Sequence, residues 1–425
     1  MLNFALPYGK TILPLALEES RVQAVLTSEL EQYIPKKSPE DLVSEALENP
    51  IDALPLWQLS QGKQRITVIA SDHTRPVPSK LLMPAILTQI RRGNPDANIT
   101  ILIATGCHRD TTRDELIAKF GQEIVEKENI VVHNCDDTDN MCLLGTLPSG
   151  GPCWINRLAV EADLLVSEGF IEPHFFAGYS GGRKAVLPGV AGRETVLANH
   201  CAEFIDHPAA RAGSLDENPI HRDMIWAAEQ AGLAFILNVV LNSEKQVIHA
   251  VAGHAIHAHR AGCAFLESLC GVKAAPADIV ISTNGGYPLD QNIYQAVKGM
   301  TTAEATVKDD GIIIMLAKSS DGHGGEAFCR ELAAGDDMDA LMADILRRPR
   351  NRTLPDQWQA QIMIRILQKA RLIYISDAPA ALVRSLHMTP AKDLPQALAL
   401  AESMLQEKAP KVTVIPDGLG VIVLP

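Results

Sequence analysis

Short runs of β-branched and aliphatic residues recur along this chain, separated by longer stretches whose apolar residues have helical spacing. Such alternation of strand and helix patterns is typical of α/β domains with parallel sheets. The predicted strands of a first series are Ile66–Ala70, Ile99–Ala104, Ile130–Val132, Asp163–Ser167 and Ala234–Leu241. Those of a second series, after Pro276, are Asp278–Ser282, Gly311–Leu316 and Arg371–Ser376. We therefore expect an α/β protein with two α/β domains and mainly parallel sheets.

The two series define the predicted domain boundaries. An N-terminal α/β domain is expected over residues 1–270, rejoined by residues 397–425, and a C-terminal α/β domain over residues 275–390. Within these domains, Val247–Val251 is predicted to return as a hairpin strand, and residues 411–415 and 420–424 as a terminal hairpin. Thr112 and Glu115 have the spacing of a helix capping box. Asp290 is the predicted cap of a helix that extends to Lys298.

Composition narrows the class of function. The chain has 425 residues and a net charge of −13, which argues against a nucleic-acid-binding surface. No apolar run approaches the roughly 20 residues that cross a bilayer, and the first 20 residues lack the pattern of a secretory leader. The eight cysteines have no CxxC spacing and are expected to be reduced thiols. A cytoplasmic protein is the expectation.

Polar loops follow the predicted strands at their carboxyl ends. The run Ser71–Pro76 reads SDHTRP, the run Thr105–Arg109 reads TGCHR, and the third, Glu168–His174, reads EGFIEPH. Open α/β sheets bind ligands outside the carboxyl ends of their strands, so these loops should share one crevice. A single histidine in such a loop is most often an ordinary surface residue. Histidines in three loops of this kind favour a functional site.

The segment Glu172–Gly192 reads EPHFFAGYSGGRKAVLPGVAG and is the densest in special residues. Glycines 178, 181 and 182 would allow the backbone to approach an anion. The segment is not a P-loop, because Arg183 and Ala185 stand where that motif needs Gly and Ser or Thr. No GxGxxG fingerprint of a nicotinamide-binding domain follows a strand. A tight corner with solvated Arg183 and Lys184 is the simpler interpretation.

Two further histidine segments are open to interpretation as metal sites. His200 follows a predicted helix, and alone it is most simply a helical surface or core histidine, although a neutral imidazole can bind nickel or zinc. No second His or Cys has zinc-site spacing with it. The residues His254, His257 and His259 fit the first turns of a helix, where solvated side chains are the simpler interpretation.

Taken together, these segments make the sequence resemble the nickel-dependent lactate racemase family over essentially the whole chain. The resemblance lies in the SDHTRP and TGCHR runs, the Glu172–Gly192 segment, Asn199-His200, and the helix that carries Gln295 and Lys298. It implies a cofactor, pyridinium-3,5-bisthiocarboxylic acid mononucleotide, whose sulfur and carbon atoms hold nickel as a pincer. It also implies transient partner proteins that make and insert this nickel-pincer nucleotide.

The resemblance also implies roles for individual residues. Lys184 would carry the cofactor covalently, and His200 would be the nickel ligand. His108 and His174 would be the catalytic acid and base, and Asp72, Tyr179, Ser180, Gly181 and Gly182 would contact the cofactor. Arg75, Gln295, Lys298 and Trp358 would bind the substrate. The active site would lie in the crevice between the two domains, with the C-terminal domain closing over the substrate.

The implied activity is racemisation of a small 2-hydroxy acid, most simply lactate, by reversible hydride transfer through a keto acid. An enzyme of the same cofactor class that acts on malate, another 2-hydroxy acid or a sugar would share the histidines and differ in its pocket. A non-catalytic nickel or nucleotide carrier would need neither His108 nor His174. A nicotinamide dehydrogenase would need the phosphate-binding fingerprint that the sequence lacks.

Overall fold

The computed structural model describes residues 1–407 and 409–424. Its chain forms two compact units. The first unit comprises residues 30–200 and 209–269, and the second comprises residues 1–29, 201–208 and 270–425. Each unit is built on its own six-stranded sheet. The predicted fold class, two α/β domains with mainly parallel sheets, is confirmed.

The sheet of the first unit is parallel except for one edge strand, which pairs antiparallel as the second half of a hairpin. This hairpin is the predicted return of the chain after residue 241. In spatial order the strands are Val247–Gly253, Leu233–Leu241, Leu164–Phe170, Arg65–Ser71, Asn98–Ala104 and Asn129–Val132. Two short antiparallel pairs, Met141–Thr146 with Pro152–Asn156 and Pro173–His174 with Gly178–Tyr179, lie outside it.

The central strands of this sheet form because their sequences are nearly continuous apolar runs. Side chains of a strand alternate between the two faces, so such runs suit a sheet covered by helices on both sides. Val68, Ile101 and Val166 are fully buried on neighbouring strands and belong to one hydrophobic cluster. The α-helices of the unit are Pro39–Glu48, Leu56–Leu59, Ser79–Gly93, Arg113–Phe120, Gln122–Lys127, Arg157–Val160, Arg193–Asn199, Pro219–Gln230 and His257–Cys270, with 3-10 turns at Thr138–Asn140 and Gly182–Ala185.

The sheet of the second unit is parallel throughout. Its strands, in spatial order, are Thr389–Ala391, Arg371–Ile375, Val307–Leu316, Ala277–Thr283, Val412–Ile415 and Val22–Val25. The N-terminal hairpin Leu2–Tyr8 with Thr11–Leu17 contributes Leu6, Leu15 and Leu17 to the hydrophobic cluster of this sheet. Gly271–Lys273 pairs in parallel with Ile422–Leu424.

The helices of the second unit include one whose start differs from the prediction. Asn292, not Asp290, caps the helix Ile293–Glu304, because its side chain accepts the backbone N–H of Gln295. The Asp290 carboxylate instead accepts the backbone N–H groups of Gly9 and Lys318. The remaining helices are Ala202–Asp206, Glu326–Leu332, Met338–Leu346, Gln357–Lys369, Ala380–Ser385 and Leu394–Leu405, with 3-10 turns at Glu19–Arg21 and Arg350–Arg352.

The division of the chain differs from the sequence expectation at three places. Residues 397–425 do not rejoin the first unit, because Val412–Ile415 pairs with Ala277–Thr283 inside the second sheet. For the same reason the predicted terminal hairpin of residues 411–424 does not form. Residues 1–29 also belong to the second unit, to which Val22–Val25 adds an edge strand. Residues 201–208 join it too, and there Gln361 donates a hydrogen bond to the Ala202 carbonyl.

Three of the predicted functional loops leave the first sheet on the same side, at the carboxyl ends of their strands. They follow Arg65–Ser71, Asn98–Ala104 and Leu164–Phe170, which are adjacent and parallel. Parallel strands end at the same side of a sheet, so Asp72, His108 and the Glu172–Gly192 segment start from that side. Among the described residues, no helix is both long and apolar enough to cross a membrane.

The capping box at the start of the helix Arg113–Phe120 can be tested by substitution. Thr112 accepts the backbone N–H of Glu115, and the Glu115 carboxylate accepts that of Thr112. Thr112→Ala should lower the free energy of unfolding by about 1 kcal/mol, because a helix N–H loses its acceptor. Urea unfolding followed by circular dichroism measures the change. Thr112→Ser keeps the hydroxyl and should stay near wild type; an equal loss in both variants would contradict the capping role.

Candidate active site

The first pair of predicted functional side chains is Asp72 and His108. Asp72 follows Arg65–Ser71 and is 1% exposed, whereas the side chain of His108, after Asn98–Ala104, is 49% exposed. Nδ1 of His108 lies 2.8 Å from Oδ2 of Asp72. The other oxygen, Oδ1, accepts the backbone N–H of Thr74 at 3.2 Å and its hydroxyl at 2.7 Å. The carboxylate is therefore held from two sides, with one oxygen for each partner.

These contacts decide the charge of Asp72. Burial by itself raises the pKa of this carboxyl, but the hydrogen bonds of His108 and Thr74, with the electrostatic interactions of His108 and Arg75, outweigh burial and lower the pKa below its ordinary value. Asp72 is thus ionised at neutral pH. An ionised carboxylate can only accept hydrogen bonds, so its contact orients the imidazole of His108.

Two ionisable side chains that the sequence did not indicate, Lys119 and Glu168, lie close to the same loop. Lys119 donates from Nζ to the backbone carbonyl of Arg75 at 3.2 Å, and burial lowers the pKa of this lysine. Glu168 is 3% exposed, burial raises the pKa of its carboxyl, and it accepts the hydroxyl of Ser79 at 2.5 Å. The two side chains lie close enough for Glu168 to raise the pKa of Lys119, and for Lys119 to lower the pKa of Glu168, in part against the effect of burial. Lys119 therefore fixes the backbone that carries Arg75, a predicted substrate ligand.

His174 lies in a different environment from His108. It ends the short strand Pro173–His174, and its ring stacks on Phe175 at 5.1 Å between centroids and meets Phe176 edge-on at 4.5 Å. Nδ1 of His174 accepts the backbone N–H of Ala177 at 3.2 Å. These aromatic contacts and this backbone hydrogen bond help to orient the imidazole.

Phe176 also connects Lys184 with His200. Nζ of Lys184 lies 5.8 Å from the centroid of the Phe176 ring, and the ring of His200 lies 5.1 Å from it at an interplanar angle of 80°. His200 is 5% exposed. Burial first, and the charge of Lys184 second, lower the pKa of His200 to about 3. The imidazole is therefore neutral at physiological pH, which is the form that binds a metal ion.

Arg183, next to Lys184, is not solvated as the simpler interpretation of this turn expected. It is 1% exposed, and its guanidinium donates to the backbone carbonyls of Ala177 at 2.7 Å and Tyr179 at 2.8 Å. Burial lowers its pKa to about 10, so it still carries its charge at neutral pH. A buried cation is tolerated only where polar groups surround it. The backbone carbonyls of the segment provide these groups and fold around the side chain.

The glycines of this segment are required by packing inside the protein. Gly178, Gly181 and Gly182 have positive φ angles of 80°, 75° and 51°, which other residues adopt at a cost. A Cβ atom added to them would lie 2.1 Å from the Ser214 carbonyl oxygen, 2.6 Å from Oδ1 of Asn238 and 2.8 Å from the His259 ring, respectively. Protein atoms thus occupy the space beside these glycines, and contact of their backbone with an anion stays a prediction.

The side chains of Tyr179 and Ser180, predicted to contact a cofactor, are engaged within the protein. Tyr179 donates its hydroxyl to Glu267 at 2.7 Å, and Ser180 donates to the carbonyl of Phe170 and accepts the N–H of Glu172, both at 2.9 Å. Asn238 accepts the N–H of Gly182 at 2.7 Å. These residues shape the loop that presents Lys184.

Three predicted substrate ligands belong to the second unit. Gln295 and Lys298 are three residues apart on the helix Ile293–Glu304, and both are partly exposed, whereas the intervening Ala296 and Val297 are buried. Trp358, on the helix Gln357–Lys369, forms a hydrogen bond with the side chain of Tyr294. The structure thus groups these three residues within one unit, and groups His108, His174, Lys184 and His200 within the other.

The histidines at the start of the helix His257–Cys270 have separate structural contacts. Nδ1 of His257 pairs with the carboxylate of Asp52 at 2.8 Å, and His259 is buried against Gly182. Within residues 1–407 and 409–424, no group of three or more His, Cys, Asp or Glu side chains is arranged to hold a metal ion.

Known proteins resemble this chain over its whole length. The model of the lactate racemase N-terminal domain family matches residues 8–213, and that of the lactate racemase C-terminal domain family matches residues 272–423. The lactate racemase of Thermoanaerobacterium thermosaccharolyticum is 55% identical over 100% of this chain and 99% of its own length. That of Lactiplantibacillus plantarum is 51% identical over 100% of both chains.

A solved structure extends the likeness to three dimensions. The lactate racemase apoprotein from Thermoanaerobacterium thermosaccharolyticum superimposes with a TM-score of 0.96 at 54% identity, covering 100% of both chains. Family models thus match most of the sequence, and relatives more than half identical span it from end to end. This chain belongs to the lactate racemase family and is an isomerase of the racemase type.

Proposed function

We propose that this racemase interconverts D- and L-lactate. The observation that carries the proposal is the 51–55% identity, over essentially full length, to two relatives that are lactate racemases. His108 and His174 support it, because both imidazoles have defined orientations in one unit. Inversion at one carbon needs a proton acceptor for each enantiomer, and two histidines provide this.

The chemistry demands an acceptor of hydride. The Cα hydrogen of a 2-hydroxy carboxylate is a very weak acid, because the neighbouring carboxylate disfavours a carbanion. A nickel-pincer pyridinium mononucleotide, when bound, would accept that hydrogen as hydride and return it to either face of the planar keto acid. The protein supplies orientation and proton transfer.

The residues present fit this cofactor. Lys184 supplies an amine for a covalent link, and His200 supplies a neutral imidazole; the side chain of Phe176 contacts both. Nickel accepts imidazole nitrogen readily. We therefore propose Lys184 as the attachment point and His200 as the protein ligand of nickel. Asp72 and the backbone of residues 179–182 remain proposed cofactor contacts.

We propose the following side chains for proton transfer and substrate orientation. His108 would take the hydroxyl proton from one enantiomer and His174 from the other. Arg75 would bind the carboxylate through its planar guanidinium. We propose that Gln295, Lys298 and Trp358 also bind the substrate.

Two further proposals concern the setting of the enzyme. All eight cysteines are free thiols, which is the usual state of cysteine in the cytoplasm, where we propose the enzyme acts. Proteins that make and insert the cofactor are proposed as transient partners.

The proposed activity predicts a substrate preference and a dependence on both histidines. Cofactor-loaded enzyme should equilibrate enantiopure L- or D-lactate, measured by polarimetry, faster than malate or other 2-hydroxy acids. His108→Gln and His174→Gln should each lower the rate roughly 10²–10⁴-fold, because each removes a proton-transfer group. His257→Gln, another half-exposed histidine beside a carboxylate, is the control. Faster turnover of malate than of lactate would refute the substrate assignment.

Cofactor attachment predicts a change in mass. Lys184→Ala should abolish the covalently added mass seen by intact-protein mass spectrometry, whereas the exposed Lys80→Ala should retain it. His200→Ala should keep the added mass but lower bound nickel, measured by elemental analysis, because one nitrogen ligand is lost. Added mass on the Lys184→Ala protein, or unchanged nickel in His200→Ala, would contradict the respective role.

A further inference from the structure

The imidazoles of His108 and His174 use Nδ1 in opposite ways. In His108 this nitrogen faces the Asp72 carboxylate at 2.8 Å, and in His174 it faces the backbone N–H of Ala177 at 3.2 Å. A carboxylate accepts hydrogen bonds, and a backbone N–H only donates them. The two contacts therefore require different protonation of the two rings.

For His108 the consequence is a defined neutral tautomer. Its Nδ1 must carry the hydrogen that Asp72 accepts, so the lone pair of the neutral ring lies on Nε2. For His174 the reverse holds: Nδ1 accepts the hydrogen of Ala177, so the neutral ring carries its hydrogen on Nε2. Neutral His108 thus accepts a proton at Nε2, whereas neutral His174 can accept one only at Nδ1, after this nitrogen has released the backbone N–H of Ala177.

Thr74 determines which oxygen of Asp72 meets the imidazole. Its backbone N–H and its hydroxyl both donate to Oδ1, which leaves Oδ2 for His108. Because the carboxylate is 1% exposed, water competes little for these bonds. A rotation of the carboxylate that exchanged its two oxygens would break both of the hydrogen bonds that Thr74 donates.

We propose that Asp72 is a positioning residue that sets His108 as a proton acceptor, by holding the hydrogen of the ring on Nδ1. This inference rests on the proposed function. When Nε2 of His108 takes the hydroxyl proton of the substrate, the O–H bond breaks, an N–H bond forms, and the ring becomes a cation. Asp72 stays ionised and keeps its hydrogen bond to Nδ1, so it stabilises the cation as well.

The substitution Asp72→Asn should reverse the tautomer of His108. The amide oxygen would retain the two donors of Thr74, so the amide NH₂ would face Nδ1 and donate to it. The hydrogen of the ring would then move to Nε2, where it blocks proton uptake. The same change in a serine protease triad lowers kcat about 10⁴-fold for this reason.

Nuclear magnetic resonance reads the tautomers without cofactor or turnover. In apoprotein labelled with ¹⁵N-histidine, long-range ¹H–¹⁵N correlation distinguishes protonated from unprotonated ring nitrogens. The chain has 13 histidines, so the signals of His108 and His174 are assigned by their loss from the spectra of His108→Gln and His174→Gln. The wild-type spectrum should show the hydrogen on Nδ1 in His108 and on Nε2 in His174. A wild-type His108 ring with its hydrogen on Nε2 would overturn the proposal, and this measurement needs no Asp72 variant to fold.

The Asp72→Asn protein should show His108 with its hydrogen on Nε2, and a loss of kcat/KM of roughly 10²–10⁴-fold once cofactor is loaded. The loss should be equal for both enantiomers, because their equilibrium constant is one. Unchanged covalent cofactor mass separates this effect from failure to bind cofactor.

The matched control is Asp52→Asn, which alters a carboxylate at the same 2.8 Å from Nδ1 of His257. It should leave the His108 signals and the rate unchanged. An unshifted His108 tautomer in Asp72→Asn, or a normal rate despite the shift, would overturn the inference. Lack of racemisation by the wild-type enzyme would count against the proposed function only, since the apoprotein spectra do not depend on it.

Discussion

The buried guanidinium of Arg183 is the contact on which the rest of the site depends. A charge this deep must be surrounded by polar groups, and here the backbone carbonyls of Ala177 and Tyr179 provide them. To reach the guanidinium, the chain between His174 and Lys184 must turn back on itself. That turn requires the left-handed conformations of Gly178 and Gly181. One side chain therefore fixes the path of the loop that carries a proposed catalytic histidine at one end and the proposed attachment lysine at the other.

The sequence predicted those parts of the structure that depend on local patterns. Runs such as Ile66–Ala70 and Ile99–Ala104 became buried parallel strands, because continuous apolar stretches leave few alternatives. Thr112 caps its helix, because a capping box needs only residues three apart. The common side at which the predicted functional loops of the first unit begin follows from the sheet topology.

What the sequence could not predict depends on partners distant along the chain. Nothing in the Lys184 loop indicated that Asn238, 56 residues further along the chain, accepts the N–H of Gly182, or that the ring of His259 lies beside the same glycine. Asp290 was a reasonable cap, but the backbone of Gly9, 281 residues away, takes its carboxylate. The edge strand Val22–Val25 gave no sign of its place beside Val412–Ile415. Long-range hydrogen bonds, unlike periodicity, leave no local pattern.

The proximity of Lys184 and His200 bears on how a metal could be bound. A protonated imidazole cannot ligate nickel, so protons compete with the metal wherever the pKa of the ligand is near the ambient pH. Burial is the larger cause that lowers the pKa of His200, and the charge of Lys184 is the smaller one. Attachment of a cofactor through the amine would remove that charge, yet burial would remain. The neutrality of His200 therefore comes mainly from its place in the fold, and it would persist after the lysine has been consumed.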